Sequence, residues 1–160
     1  METLKDIYKA DSAIIEGSVK IGNDSSIWHH AIIRGDEDTV SVGSCTNIQD
    51  GAVLHEDTGK PLRIGDRVTI GHRAIVHGCT VEDDVLIGMG SIVMNGAVIG
   101  KGSIIGAGAV VLENMIIPPE SIAVGSPARV IGTVRPEQIE KSKRNALEYV
   151  RLAQENLKRL

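Results

Sequence analysis

Three of the five histidines stand at positions that suit a metal site. His55 and His77 each follow an aliphatic residue, in the runs Val53-Leu54-His55 and Val76-His77, and His72 follows Ile70-Gly71. Neutral imidazole is a common metal ligand, and catalytic zinc sites combine about three protein ligands with one open position. Three histidine ligands would leave the charge of the ion undiminished, which suits hydration or hydrolysis by a water that the ion activates.

A six-residue repeat must position these histidines. Between Ile15 and Ala128 an aliphatic residue opens each unit, glycine often follows it, and a small residue stands four positions later, as in IGMGSI, VMNGAV and IGKGSI. Neither a helix nor a hairpin has this period, but a coil of short parallel strands does. The 18 glycines and the 2% aromatic content fit a narrow core. The sequence therefore predicts an all-β solenoid of about six coils that rise about 4.8 Å each.

The opening residues sort into the three faces of a triangular prism. The first face holds Ile15, Ile33, Leu54, Val76, Val93 and Val111; the second holds Ile21, Val42, Ile64, Val81, Ile99 and Ile117; the third holds Ile27, Ile48, Ile70, Ile87, Ile105 and Ala123. On the first face the residue after the opener is never glycine, so that a column of side chains points outward there.

His55 and His77 belong to this outward column. They are separated by one coil of about 18 residues plus an insertion within residues 56–61, and should stack about one strand spacing apart. Two imidazoles at that separation can bind one metal with bonds of about 2.1 Å. The register argues against a pair of core histidines, and a solvated surface pair remains the alternative.

The third ligand is predicted to come from another copy of the chain. His72 lies on the third face, and the five residues that separate it from His77 span on the order of 16 Å when extended. A second subunit could supply the missing ligand at this face. A site shared in this way implies a ring, and a triangular prism favours a trimer.

The last segment has a different pattern. Pro136 opens a stretch with apolar residues at helical spacing, namely Ile139, Ala146, Tyr149, Val150, Ala153, Leu157 and Leu160. The sequence predicts a β-helix domain over residues 1–135, with repeats from about 15 to 128, and an amphipathic helix over 136–160 packed on it. Trp28 should point outward and be covered by another subunit.

Five short motifs lie within the repeat, namely Arg34-Gly35-Asp36, Asn47-Ile48-Gln49-Asp50-Gly51, Leu54-His55, Ile70-Gly71-His72 and Val76-His77-Gly78-Cys79. Together they resemble the γ-class carbonic anhydrase family. The resemblance implies a left-handed parallel β-helix with a C-terminal α-helix, assembled as a homotrimer. It also implies reversible hydration of carbon dioxide to bicarbonate by a metal-bound hydroxide. The ligands would be His55 and His77 of one subunit and His72 of the next, with Zn²⁺ as the expected ion and Fe²⁺ or Co²⁺ as alternatives.

The resemblance gives further residues roles: Gln49, Asn47 and Glu37 near the hydroxide, and Asp50, Arg34 and Asp36 as supporting or interface residues. The Gln49 amide can orient the hydroxide, with Asn47 supporting it. Asp50 stacks one coil from His72 and could support that histidine, pair with an arginine across the interface, or remain a solvated turn residue. His29 and His30 match no ligand position, and we expect a structural or solvent role for them.

The composition argues against nucleic acid and membranes as partners. A net charge of −4 gives no basic field for nucleic acid, and no apolar run is long enough to cross a bilayer. The charged start of the chain and its two cysteines predict a reduced, cytoplasmic protein. Regeneration of a metal-bound hydroxide requires a proton to leave the site. Because the acidic segments 37–39 and 56–57 are short, we expect slow proton transfer and low activity.

Three other functions compete with hydration. An acyl-CoA-dependent acyltransferase is suggested by the repeat itself and by the ending Gly125-Ser126-Pro127-Ala128. A thioesterase could use the same metal and water. A metal-binding scaffold without catalysis is the third possibility.

Overall fold

The structure is a computed structural model that describes residues 7–158. It confirms the predicted fold, a left-handed parallel β-helix of hexapeptide repeats followed by one α-helix. The helix α1 begins at Pro136 and ends at Leu157. Leu160, which the sequence assigns to the same helix, lies outside the described residues.

Most strands are two or three residues long, as a six-residue repeat with a corner in each unit requires. They are β1 Tyr8–Lys9, β2 Ile14–Ile21, β3 Ser26–Ile27, β4 Ile32–Val42, β5 Asn47–Ile48, β6 Val53–His55, β7 Leu62–Ile64, β8 Thr69–Ile70, β9 Ile75–His77, β10 Thr80–Val81, β11 Leu86–Ile87, β12 Ile92–Val93, β13 Val98–Ile99, β14 Ile104–Ile105, β15 Val110–Val111, β16 Ile116–Ile117, β17 Ser121–Val124 and β18 Arg129–Thr133.

The strands form two sheets that enclose the core. The eight-stranded sheet has the order β1-β3-β5-β8-β11-β14-β17-β18 and forms the third face. The ten-stranded sheet covers the other two faces, because the long strand β4 pairs with β6 through its first residues and with β7 through its last. Strand β18 is antiparallel to β17 and ends the solenoid.

The register matches the three predicted faces. Ile33, Leu54 and Val76 are consecutive partners on the first face, and Ile48 pairs with Ile70 on the third. The opening residues of the central coils are buried, and so are the small residues four positions later, such as Ala31, Ala52, Ala74, Ala97 and Ala109, each 0% exposed. Small residues here leave room for the aliphatic openers of the other faces, so that the core closes without aromatic side chains.

The corners set the direction of the site residues. Arg73, directly after His72, has φ of 56°, the left-handed conformation that reverses the chain between the third and first faces. At the matching corners above and below, Gly51 and Gly90 adopt φ of 69° and 67°. His72 therefore stands on the edge of the prism, and its side chain is 46% exposed.

Helix α1 packs along the outside of the eight-stranded sheet, against β1, β3, β5 and β8. Its Tyr149 meets the edge of Trp28 at a ring-centroid distance of 5.4 Å, and Tyr8 approaches Trp28 from the other side at 5.0 Å. The chain's own helix therefore covers part of Trp28, which is half-buried in the single chain, and cover by another subunit stays a prediction. Within residues 7–158, no helix combines the length and apolar character needed to cross a membrane.

Candidate metal centre

His55 and His77 are directly opposite each other in the parallel pair β6 and β9. The insertion between them folds outward as a tight loop closed by Asp57 and Lys60, which leaves the register of the two strands intact. The Nδ1 atom of His55 lies 3.0 Å from Nε2 of His77, and the ring centroids are 4.9 Å apart. We call these two residues the histidine pair.

In each histidine, the ring nitrogen that does not face the other histidine is hydrogen-bonded to a side-chain oxygen. Nε2 of His55 lies 2.8 Å from Oδ1 of Asp36, and Nδ1 of His77 lies 2.7 Å from Oδ1 of Asn95. When those nitrogens carry the protons, Nδ1 of His55 and Nε2 of His77 present lone pairs to the same point. Two nitrogens bound tetrahedrally at about 2.1 Å lie about 3.4 Å apart, so that the pair fits a zinc-class ion after a small outward shift.

The structure adds Asn95 and Asp57 to the residues found from the sequence. Nδ2 of Asn95 donates to Oδ2 of Asp57 at 2.5 Å, and one ligand atom of Asp57 lies within 4.8 Å of both histidines. Asn95 stands 18 residues after His77, one coil further along, so that the repeat arithmetic could have identified it. The position of Asp57 depends on how the insertion loop folds, which the repeat does not specify.

His72 forms a separate half-site on the edge of the third face. Its Nδ1 lies 2.9 Å from Oδ2 of Asp50, one coil away, and this leaves its Nε2 for a ligand bond. Among the described residues, the groups of histidine and carboxylate atoms close enough to hold an ion do not include His72. One chain therefore brings together the histidine pair but does not bring His72 to it.

Gln49 and Asn47 lie on the His72 side. Gln49 is one coil from Gly71 and donates through Nε2 to Oδ1 of Asn47 at 3.0 Å, while the Asn47 amide donates to Thr69 Oγ1 at 3.0 Å. Both amides are nearly buried, at 6% and 1% exposure. This chain of bonds fixes the orientation of the Gln49 amide beside Asp50.

Glu37 is held by the insertion loop. Its Oε2 accepts hydrogen bonds from the backbone and hydroxyl of Thr58 at 3.1 and 2.9 Å. The backbone N–H of Glu37 donates to Oε1 of Glu56, a carboxylate with 0% exposure whose Oε2 has no hydrogen-bond partner among the described residues. Glu37 and Glu56 thus tie the two loops beside the site together.

Asp36 joins His55 to Arg34, its ion-pair partner in the same chain. The hydrogen bond with His55, followed by that with Arg34, lowers the pKa of Asp36 below its usual value of 3.8. The carboxylate therefore stays ionised near neutral pH and can hold the Nε2 proton of His55. His29 takes no part in the site, and its Nδ1 lies 3.3 Å from Ser12 Oγ.

Comparison with known proteins identifies the family. The chain is 50% identical over 150 residues to the "Probable carbonic anhydrase" of Methanocaldococcus jannaschii, and the match covers 94% of each chain. It is 43% identical to gamma carbonic anhydrase 2, mitochondrial, of Arabidopsis thaliana, over 94% of this chain and 56% of that longer protein. The chain belongs to the gamma carbonic anhydrase family.

This member of the gamma carbonic anhydrase family also shares its six-residue repeat with proteins outside that family. Residues 78–113 match the family described as bacterial transferase hexapeptide (six repeats). A hexapeptide transferase family protein from Anaplasma phagocytophilum has a similar structure, with a TM-score of 0.84, 36% identity and coverage of 92% of this chain and 91% of that one. The solenoid is therefore shared with transferases, and the histidines and their partners carry the functional argument.

Proposed function

We propose that the protein catalyses reversible hydration of carbon dioxide to bicarbonate at metal sites shared between the subunits of a homotrimer. The observation that carries this proposal is the arrangement of the three histidines. Asp36, Asn95 and Asp50 each hold one ring nitrogen of a histidine and leave the other nitrogen for an ion. Orienting partners of this kind are typical of histidine ligands of metals.

The histidine pair of one subunit and His72 of the next would hold the ion, with Zn²⁺ expected and Fe²⁺ or Co²⁺ also suited to imidazole. When bound, a zinc-class ion lowers the pKa of a water ligand to about 7 and so supplies hydroxide at neutral pH. The Gln49 amide, held by Asn47, would orient the attacking oxygen. Asp36 and Asp50 keep their histidines in the liganding tautomer.

The first face is suited to subunit contact. The residues just before its openers form an outward aliphatic column over all six coils, namely Ile14, Ile32, Val53, Ile75, Ile92 and Val110. Ile14 and Ile75 are 51% and 39% exposed in the single chain. A continuous apolar column beside the histidine pair favours burial against another copy.

Proton exit is expected to limit turnover. Glu37 is engaged by Thr58, Oε1 of Glu56 accepts from Glu37, and Asp57 is bonded to Asn95, so that none of these carboxylates is free of the loop network. We propose low rather than fast hydration for this reason. The cytoplasmic location remains a prediction from the sequence.

The test combines metal analysis, hydration and mixed trimers. Stopped-flow hydration is measured on protein of known metal content, and His77→Ala should abolish both metal binding and activity. Unfolding and refolding His72→Ala together with His77→Ala should restore part of the activity, because some interfaces then receive intact ligands from both chains. Efficient mixing without any rescue would show that the site is not shared.

The transferase-like repeat favours acyl transfer as a second candidate function. Such an enzyme typically uses one histidine as a base and has no need of three oriented for an ion. Removal of metal by a chelator should leave acyl-CoA-dependent activity intact, whereas it should abolish hydration. Metal-dependent hydrolysis of thioesters without hydration would instead identify a thioesterase, and metal binding without either reaction would identify a scaffold.

A further inference from the structure

We infer that Asp57 is an in-chain metal ligand, so that His55, Asp57 and His77 of one subunit bind a divalent ion before His72 of a neighbouring subunit completes the site. The inference rests on the proposed metal site. It adds a ligand that binds the ion before the subunits assemble. It assigns a role to the insertion that separates the two histidines.

Geometry supports this role. One carboxylate oxygen of Asp57 and one nitrogen from each of His55 and His77 all lie within 4.8 Å of one another, and all three residues are partly buried. Across residues 7–158 of one chain, His72 belongs to no such group. The other group contains Asp36, His55 and Glu56 but not His77, so that among the described residues Asp57 is the donor that joins both histidines in one group.

The Asp57 carboxylate is fixed in place. Its Oδ2 accepts the Asn95 amide proton at 2.5 Å, and its backbone carbonyl accepts the Lys60 N–H at 2.8 Å across the loop. One hydrogen bond to the carboxylate leaves it with acceptor capacity for an ion. The same Asn95 amide accepts from His77 through its oxygen, so that one residue aligns two ligands of the group.

The chemistry of the donors explains a division of labour. Two imidazoles and one carboxylate are an established metal-ligand set, so that this group can hold a divalent ion without a partner. A carboxylate also neutralises part of the charge of the ion, which makes a bound water less acidic than three histidines would. The in-chain group is thus suited to capturing the ion. When His72 of a neighbouring subunit takes the place of the Asp57 carboxylate as the third ligand, the site would become more reactive.

The experiment compares His72→Ala with the double variant His72→Ala/Asp57→Asn. Asn at position 57 can still accept from Asn95, so that the loop is retained while the charged donor is lost. His72→Ala/Asp38→Asn is the matched control, because the Asp38 carboxylate caps the neighbouring Thr39 N–H and lies outside the ligand groups. Zinc affinity is measured by competition with a chromophoric chelator, and cobalt absorption reports the ligand set.

We expect His72→Ala to bind one ion per chain more weakly than the unchanged protein. The Asp57→Asn change should weaken that binding by a further tenfold or more, about the lower end of what loss of an interaction at a metal site costs. The Asp38→Asn control should bind like His72→Ala alone, and cobalt spectra should differ between His72→Ala and the Asp57 double variant. Circular dichroism verifies that each variant is folded.

Two results would overturn the inference while leaving the shared site in place. Either His72→Ala binds no ion although the unchanged protein does, or Asp57→Asn has no effect in the His72→Ala background. Failure of the unchanged protein to bind any divalent ion would overturn the proposed function itself. The two failures are therefore distinguishable.

Discussion

His77 depends on a residue that lies outside the proposed ligand set. Its Nδ1 is held by Asn95, whose amide also donates to Asp57. Replacement of Asn95 by Leu should release the His77 ring and weaken zinc binding by about 10- to 100-fold, the usual effect of losing such a partner. Chelator competition measures the change. Asn23→Leu, at an exposed asparagine on another corner of the solenoid, is the control and should bind zinc normally.

Gln49 should act on the reaction rather than on the ion. Its amide is fixed by Asn47 and nearly buried, but it is not a metal donor of the histidine kind. Gln49→Ala should keep about one ion per chain and lower kcat/KM by roughly tenfold or more, as expected for lost positioning. Parallel measurements of metal content and hydration test this. Equal loss of both would make Gln49 a structural residue.

Cys79 provides a pH-dependent contribution to stability. Burial raises the pKa of its thiol from 9.0 to about 12. Because the folded state keeps the proton longer than the unfolded chain, this contribution is complete below about pH 9 and is lost as pH rises towards 12. Urea unfolding between pH 8 and 11 should show a falling free energy of unfolding that is shallower in Cys79→Ala. A slope unchanged by Cys79→Ala would assign the decline to other groups.

At the level of secondary-structure elements, helix α1 stabilises the part of the sheet that carries Gln49. It covers β1, β3, β5 and β8, and Asn145 donates to the same Thr69 hydroxyl that accepts from Asn47. The helix is therefore coupled to the His72 half-site through one hydroxyl group. Its buried face includes Ala146 and Ala153, and its Tyr149 contacts Trp28.

Tyr149→Ala should weaken this packing and destabilise the protein by about 2 kcal/mol, since it removes an aromatic contact and half-buried apolar area. Trp28 is the single tryptophan, so that its fluorescence should shift to longer wavelength as the ring becomes wet. Leu147→Ala, on the exposed face of the same helix, is the control and should change neither property. An unshifted spectrum would mean that the helix stays docked without Tyr149.

At the level of the whole molecule, the proposed metal site requires several copies of the chain. Each chain carries the histidine pair on one face and the His72 half-site on the edge of another. In the proposed trimer these two parts meet across a subunit contact. Assembly and metal affinity should therefore change together.

Ile75→Glu should break the assembly, because a charge in the aliphatic column would be buried without a partner at the contact. We expect light scattering to give a lower mass, together with weaker zinc binding. Ile116→Glu is the matched control, since Ile116 is 71% exposed on the second face, away from the column. A trimer that survives Ile75→Glu with full zinc affinity would place the contact elsewhere.

The amino-acid sequence alone determined the solenoid and the histidine pair. The aliphatic residue that opens each unit must face inward, and parallel coils stack in register, so that counting residues places Leu54 beside Val76 and therefore His55 beside His77. The same counting placed Asp50 one coil from His72. These results depend only on local period and burial.

The tertiary structure decided what the period does not encode. The insertion loop brings Asp57 back to the histidines and Asn95, and the terminal helix covers part of Trp28, which the sequence left to another subunit. Loop conformation and helix docking depend on contacts between residues far apart in sequence, and a repeat has no information about where an interruption folds. The repeat therefore fixed the coils, while the folded chain determined which side chains meet around the histidines.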